Sequence, residues 1–211
     1  MAIQLSANST FLFIGDSITD VGRRTCPEQI GNGYVRMVRD YLSAKDPKAA
    51  PKVVNRGISG NKVPDLEKRW QRDVLDERPD VLSVYIGIND VWHGFAPRNE
   101  GTELARYGEG YRGLLKQTLR AFPKLTLVLV EPSVLWLGTP ADANEQLIPY
   151  VKAVRELATE FGAVVTVPLH ETFNAARAAR PDIAWTTDGC HPTSTGHMLI
   201  ARTWLASTGL L

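Results

Sequence analysis

Ser17, Asp188 and His191 are the residues of this chain whose types could together open an ester bond. A serine hydroxyl is a weak nucleophile until a base takes its proton during attack, and imidazole is the side chain that titrates closest to neutrality. Asp188, shortly before His191, supplies a carboxylate that would fix one imidazole tautomer and stabilise the imidazolium once it forms. A tetrahedral intermediate also needs donors where its oxygen turns negative. The backbone N–H groups of Ser17 and Gly57 and the side-chain amide of Asn89 are the expected suppliers. Gly57 suits this place because no Cβ blocks the approach of its backbone. The chemistry such a set performs is acyl transfer through a covalent serine intermediate.

These residues lie far apart in sequence, so the elements between them must bring them to one place. The apolar run Phe11-Leu12-Phe13-Ile14 stops at Gly15-Asp16-Ser17, which reads as a buried strand delivering the serine to a sheet edge. Val53-Val54-Asn55 predicts a second strand, followed by Arg56-Gly57-Ile58-Ser59-Gly60-Asn61. The run from Val81 to Ile86 predicts a third, followed by Gly87-Ile88-Asn89-Asp90, and further strands are expected over 125–130 and 163–167. Helical spacing appears over 33–44 (Tyr34, Val38, Tyr41, Leu42) and after Pro64 (Leu66, Trp70, Val74). It recurs over 103–122 from Leu104 to Leu119, from Asn144 (Leu147, Ile148, Val151, Val154, Leu157), and over 171–179 and 194–205. Strands alternating with helices predict right-handed βαβ units and an α/β fold, a three-layer α/β/α sandwich around a mostly parallel five-stranded sheet. One domain over residues 1–211 is expected from the length and the absence of a linker. In such a sheet, ligands bind in the crevice beyond the carboxyl ends of the strands, where all four segments converge if the last helix packs back on the sheet.

Bulk properties narrow the partners. Lys and Arg total 24 against 23 Asp and Glu, so a net charge of +1 leaves no broad footprint for nucleic acid or anionic lipid. No apolar segment reaches the length of a membrane span, and the first residues lack a signal-like pattern, which predicts a cytoplasmic protein. Cys26 and Cys190 are too few for a disulfide scaffold and are expected as reduced thiols.

At the catalytic candidates the chain resembles the GDSL family in its SGNH hydrolase branch. Gly15-Asp16-Ser17-Ile18 matches the first block with Ile in place of the commoner Leu, and Gly57 stands in the second. Gly87-Ile88-Asn89-Asp90 is the third block and Asp188-Gly189-Cys190-His191-Pro192 the fifth, so the match runs from Phe11 to Pro192. The resemblance implies a flavodoxin-like sandwich, Ser17 as nucleophile, Asp188 and His191 as its triad partners, Gly57 and Asn89 in the oxyanion hole, and no cofactor or metal. Gly-Ile-Ser-Gly-Asn at 57–61, Gly-Ile-Asn-Asp-Val-Trp at 87–92 and Ala184-Trp185 are similar to bacterial acetyl xylan esterases. That finer likeness implies a small acyl pocket bounded by Ile58, with Trp92 and Trp185 as stacking surfaces for an oligosaccharide ester substrate. A thioesterase or lysophospholipase of the same family, and a noncatalytic ligand-binding module of the same fold, are the competing readings.

Other residues carry simpler expectations. Asp16 and Asp20 support the nucleophile loop through backbone hydrogen bonds, and Asp90 is a structural cap. His93, His170 and His197 are surface or packing residues, with no His-Glu-x-x-His metal pattern. Arg23 and Arg24 read as a solvated loop, and Cys190 as a small buried filler. Leu135, Trp136 and Leu137 form an apolar stretch that could serve as a subunit contact in a homo-oligomer.

Overall fold

The computed structural model describes residues 3–95, 97–136, 140, 142–163 and 165–211. Its sheet contains β1 (Thr10–Gly15), β2 (Lys52–Gly57), β3 (Val81–Tyr85), β4 (Thr126–Val130) and β5 (Val165–Val167) in the order β2-β1-β3-β4-β5. Every pairing is parallel, where sequence reading expected a mostly parallel sheet. The helices are α1 (Ser17–Asp20), α2 (Tyr34–Lys45), α3 (Val63–Trp70), α4 (Ile88–Trp92), α5 (Leu104–Ala121), α6 (Ala143–Glu160), α7 (Leu169–Ala179) and α8 (Ser194–Ser207).

Alternation along β1 shows how the layers form. Phe11 and Phe13 pack with Tyr34, Val38 and Leu42 of α2 and Ile200 and Trp204 of α8, whereas Leu12 and Ile14 pack with Leu66 and Trp70 of α3 and Tyr111 of α5. Successive strand side chains point to opposite faces, and both faces are covered by helices, so the strand is apolar throughout instead of alternating with polar residues. α6 serves both sides: Leu147 and Val151 join the first cluster, Val154 and Leu157 the second. The strand order is that of flavodoxin-like sheets, with the switch point between β1 and β3.

Helix by helix, the apolar stripe is narrower than periodicity predicts. Tyr41, Leu104 and Ile148, placed on apolar faces by spacing, are all exposed. Tyr41 lies at the margin of the α2 face defined by Tyr34, Val35, Val38 and Leu42, and its ring is covered instead by the Lys45 ammonium. α3 passes directly into a π-helical turn, Gln71–Leu75, which still buries Val74. Gly108 and Gly113 within α5 border open space, so their cost is propensity alone. Leu135 is buried in the core and cannot serve the subunit contact expected of it, Trp136 is partly buried, and Leu137 lies outside the described residues. No helix among the described residues is long and apolar enough to cross a membrane.

Candidate active site

β1 ends at Gly15, and the chain turns at once into the single turn of α1. Asp16 caps that turn, its Oδ1 accepting from the Ile18 N–H at 2.9 Å, so Ser17 occupies the first helical position. N–H groups in a first turn have no intrahelical acceptor, which leaves the Ser17 N–H available next to its own hydroxyl. Only glycine fits at 15, because a Cβ there would lie 2.2 Å from the Tyr85 carbonyl oxygen of neighbouring β3.

The second half of the site arrives from the other end of the chain. Thr193 caps α8 by accepting from the Gly196 N–H, and α8 packs on β1, with Trp204 Nε1 donating to Ser83 Oγ on β3 at 3.0 Å. The loop ahead of α8 thereby crosses the carboxyl edge of the sheet. Ser17 Oγ lies 2.9 Å from His191 Nε2, and His191 Nδ1 lies 2.7 Å from Asp188 Oδ2. The other Asp188 oxygen accepts from the backbone N–H groups of Cys190 and His191, at 3.0 and 2.8 Å. Burial alone would raise the Asp188 carboxyl, but hydrogen bonds from the His191 backbone and ring and from Cys190 hold it below the usual carboxylate range. An ionised Asp188 accepts from Nδ1–H, which leaves Nε2 as the acceptor facing the serine hydroxyl. This line of groups can take a proton from Ser17 and return it to a leaving group.

β3 contributes Asn89 through α4, with its side-chain nitrogen donating to the Asn61 carbonyl at 3.1 Å. That bond uses one of two amide hydrogens and ties α4 to the loop after β2. In that loop the expectation for Gly57 needs correction. Its N–H is already taken by Asn55 Oδ1 at 2.8 Å and its carbonyl by Arg23 Nε, and a Cβ would lie 2.3 Å from the Asp20 nitrogen. Gly57 is required by backbone packing against α1 and has no spare donor. Gly60 differs: its φ of +81° favours glycine, a Cβ would find only His93 Cε1 at 3.9 Å, and among the described residues nothing accepts its N–H. Gly60 also neighbours Asn61, the residue that holds Asn89.

Around this rim, Trp92 places its ring 5.6 Å from the His191 ring, edge to face. Ile58 is half-buried, its N–H donating to the Gly15 carbonyl at 3.0 Å. Trp185 lies instead along a separate groove of about 290 Å³ beside the catalytic loop. Asp20 accepts from the Arg23 N–H and from both the N–H and hydroxyl of Ser59, while Asp90 accepts from the Val63 N–H and so caps α3. His93, His170 and His197 are packing residues, and burial together with nearby His191 pushes His197 down to about 4. Cys26 and Cys190 are free thiols, Cys190 fully buried.

Three supporting residues escaped the sequence reading. Asn55, in the middle of β2, donates to the Thr19 and Ile30 carbonyls at 2.6 and 2.9 Å and so fastens the turn carrying Ser17 to the sheet. Its signal was available, since asparagine is depleted from strands. Arg23, expected in a solvated loop, is buried against Gly57. Arg69 is buried on α3 and donates to the Gly15 and Arg56 carbonyls, Asn61 Oδ1 and Asp73 Oδ2 at 2.7–3.0 Å. Nothing local marks Arg23, whose acceptor comes from a distant segment, and although Asp73 lies four residues from Arg69, the Gly15 and Arg56 carbonyls that bury it come from elsewhere in the chain.

Comparison with known proteins identifies the family. The model of the GDSL-like lipase/acylhydrolase family matches residues 13–199. An acetylxylan esterase of Geobacillus stearothermophilus is 35% identical, covering 98% of this chain and 97% of its own length. A crystal structure of an acetylxylan esterase from that organism superposes with a TM-score of 0.86 at 34% identity, covering 98% of this chain and 97% of the other. A Parabacteroides merdae protein described as a GDSL-like lipase superposes with a TM-score of 0.92 at 37% identity over 100% of both chains. The protein belongs to the GDSL-like lipase/acylhydrolase family and is a serine carboxylic ester hydrolase.

Proposed function

We propose that this enzyme removes acetyl groups from carbohydrate esters through an acyl-enzyme, with Ser17 as nucleophile, His191 as general base and acid, and Asp188 as the group that orients the imidazole. The observation that carries this reading is the unbroken contact line from Ser17 Oγ through the His191 ring to Asp188. Ser17 Oγ attacks the ester carbonyl carbon while its proton passes to His191 Nε2. The tetrahedral oxyanion is met by the N–H groups of Ser17 and Gly60 and the free amide hydrogen of Asn89, with Gly60 taking the part first expected of Gly57. Collapse expels the sugar alkoxide, which takes the proton from His191. Water then attacks the acetyl group, gives a proton to His191, and the released Ser17 oxygen recovers it as acetate departs.

Support for the acetyl-sugar assignment comes from the acetylxylan esterase relative and from Trp92 beside the catalytic ring, a flat apolar surface of the kind on which sugar rings stack. The half-buried Ile58, held against the end of β1, would shorten the acyl side. Acetate release from acetylated mono-, oligo- and polysaccharides, beside aryl and thioesters of increasing chain length, tests the assignment. Acetylated saccharides should be cleaved and acetyl preferred among aryl esters. Best turnover on octanoyl esters or on thioesters would replace it with the lysophospholipase or thioesterase reading. A fluorophosphonate probe should label Ser17 alone; unlabelled folded protein would remove the covalent mechanism.

A further inference from the structure

Trp136 and Trp185 form two walls of the groove beside the catalytic loop, together with Arg177, Asp182 and Thr186. Each indole is fixed by hydrogen bonds. Trp136 donates its backbone N–H to the Gly189 carbonyl at 2.9 Å and its ring N–H to Asn174 Oδ1 at 3.3 Å, while the Trp185 ring N–H donates to the Arg180 carbonyl at 3.1 Å. The groove is thus bound directly to the segment carrying Asp188 and His191. Its volume is at the small end of ligand-sized cavities.

Arg177 sets the chemistry of this groove. Its guanidinium carbon stands 4.8 Å from the Trp136 ring centroid, stacked on the indole, and among the described residues no carboxylate pairs with it. The other charges nearby are satisfied: Asp182 is held in two contacts by Arg180, and Asp188 by His191 and backbone N–H groups. A stacked guanidinium keeps its planar fork of donors in one orientation, and that fork matches a carboxylate.

We propose that this groove is a specificity subsite that receives a sugar unit bearing a carboxylate, with Arg177 binding the acid group while Trp136 and Trp185 border the ring. The inference rests on the carbohydrate reading above and narrows it: the preferred leaving group is an acidic saccharide, a uronic-acid-bearing oligosaccharide. Arg177 determines specificity and does not touch the reacting atoms.

A matched pair of substrates tests this, an O-acetylated oligosaccharide carrying one uronic acid and the same molecule with that acid converted to a neutral carboxamide. The wild-type enzyme should show a kcat/KM ratio favouring the acid by about five- to tenfold at low salt, the scale of one charge-assisted contact in solvent. The ratio should shrink as ionic strength rises. Arg177→Gln should bring it to about one, and Arg177→Lys should restore part of it. Equal kcat/KM for the two substrates, or a ratio that survives Arg177→Gln, overturns the subsite and leaves acetyl-saccharide hydrolysis standing. Cleavage of aryl acetates with no cleavage of either saccharide overturns both.

Discussion

At the residue scale, the site is a division of labour between groups that react and groups that hold them. On the proposed mechanism Ser17→Ala removes the atom that forms the covalent bond and should lower turnover of an aryl acetate by about a million-fold, as for other serine hydrolases. Circular dichroism should show an unchanged fold, and retention of even a hundredth of the activity would assign the nucleophile elsewhere. Asn89→Ala should cost about 10²- to 10³-fold in kcat, because on the proposed mechanism its amide serves charge that appears only in the transition state. A compensating change confined to KM would make Asn89 a ground-state contact. The main correction also belongs to this scale. Gly57 and Gly60 are equally glycine in the sequence, and only the partners of their N–H groups separate them.

At the scale of elements, short connections are clamped by buried polar side chains, with Arg69 at the centre. One guanidinium joins the end of β1, the end of β2, the loop carrying Gly60, and the π-helical turn after α3 through Asp73. Asp73 stays below the usual carboxylate range: burial opposes this, but Arg72 and Arg69 outweigh it. Arg69→Met would remove a donor from the Arg56 carbonyl and Asn61 Oδ1 in the interior, while Asp73 keeps Arg72, and should destabilise the protein by about 1–3 kcal/mol, the usual cost of leaving buried acceptors unsatisfied. A urea midpoint matching wild type would refute that. The helices themselves were readable from period 3.6, whereas α1 and α4, a single turn each, were not. They bury one or two apolar residues and exist because Asp16 caps one and the switch point of the sheet seats the other.

At the scale of the whole molecule, the site stands over two buried carboxyls, Asp16 and Asp90. Burial raises Asp16 to about 7, with nearby Asp90 adding to the effect, and burial raises Asp90 to about 6. Among the described residues Asp16 Oδ2 has no hydrogen-bond partner, consistent with a carboxyl kept neutral in the core. A carboxyl whose pKa is higher folded than unfolded favours the fold most fully below its unfolded value near 3.8, and that contribution is lost as pH rises through 6 to 7. His197 works in the opposite direction: its lowered value favours the fold above 6.5, and this is lost as pH falls toward 4. Stability measured by thermal unfolding should therefore decline as pH rises from about 6 to 7, where the two carboxyls outweigh what remains of the opposing His197 contribution, and level off above about 7. Asp16→Asn should flatten this decline; an unchanged slope would place the titration in another group.

The sequence by itself determined the alternation of strands and helices and singled out the residues proposed as triad and oxyanion asparagine, because periodicity, strand-ending turns and side-chain chemistry are local properties written in consecutive residues. Tertiary structure alone decided which glycine N–H remains free, that Arg23 and Arg69 are buried, that Leu135 is core, and that Trp185 faces a second groove with Trp136 and Arg177. Those outcomes depend on which donors and acceptors meet across tens of residues of intervening chain. A residue's type states what it can bond to, and only the folded backbone decides which partner reaches it first.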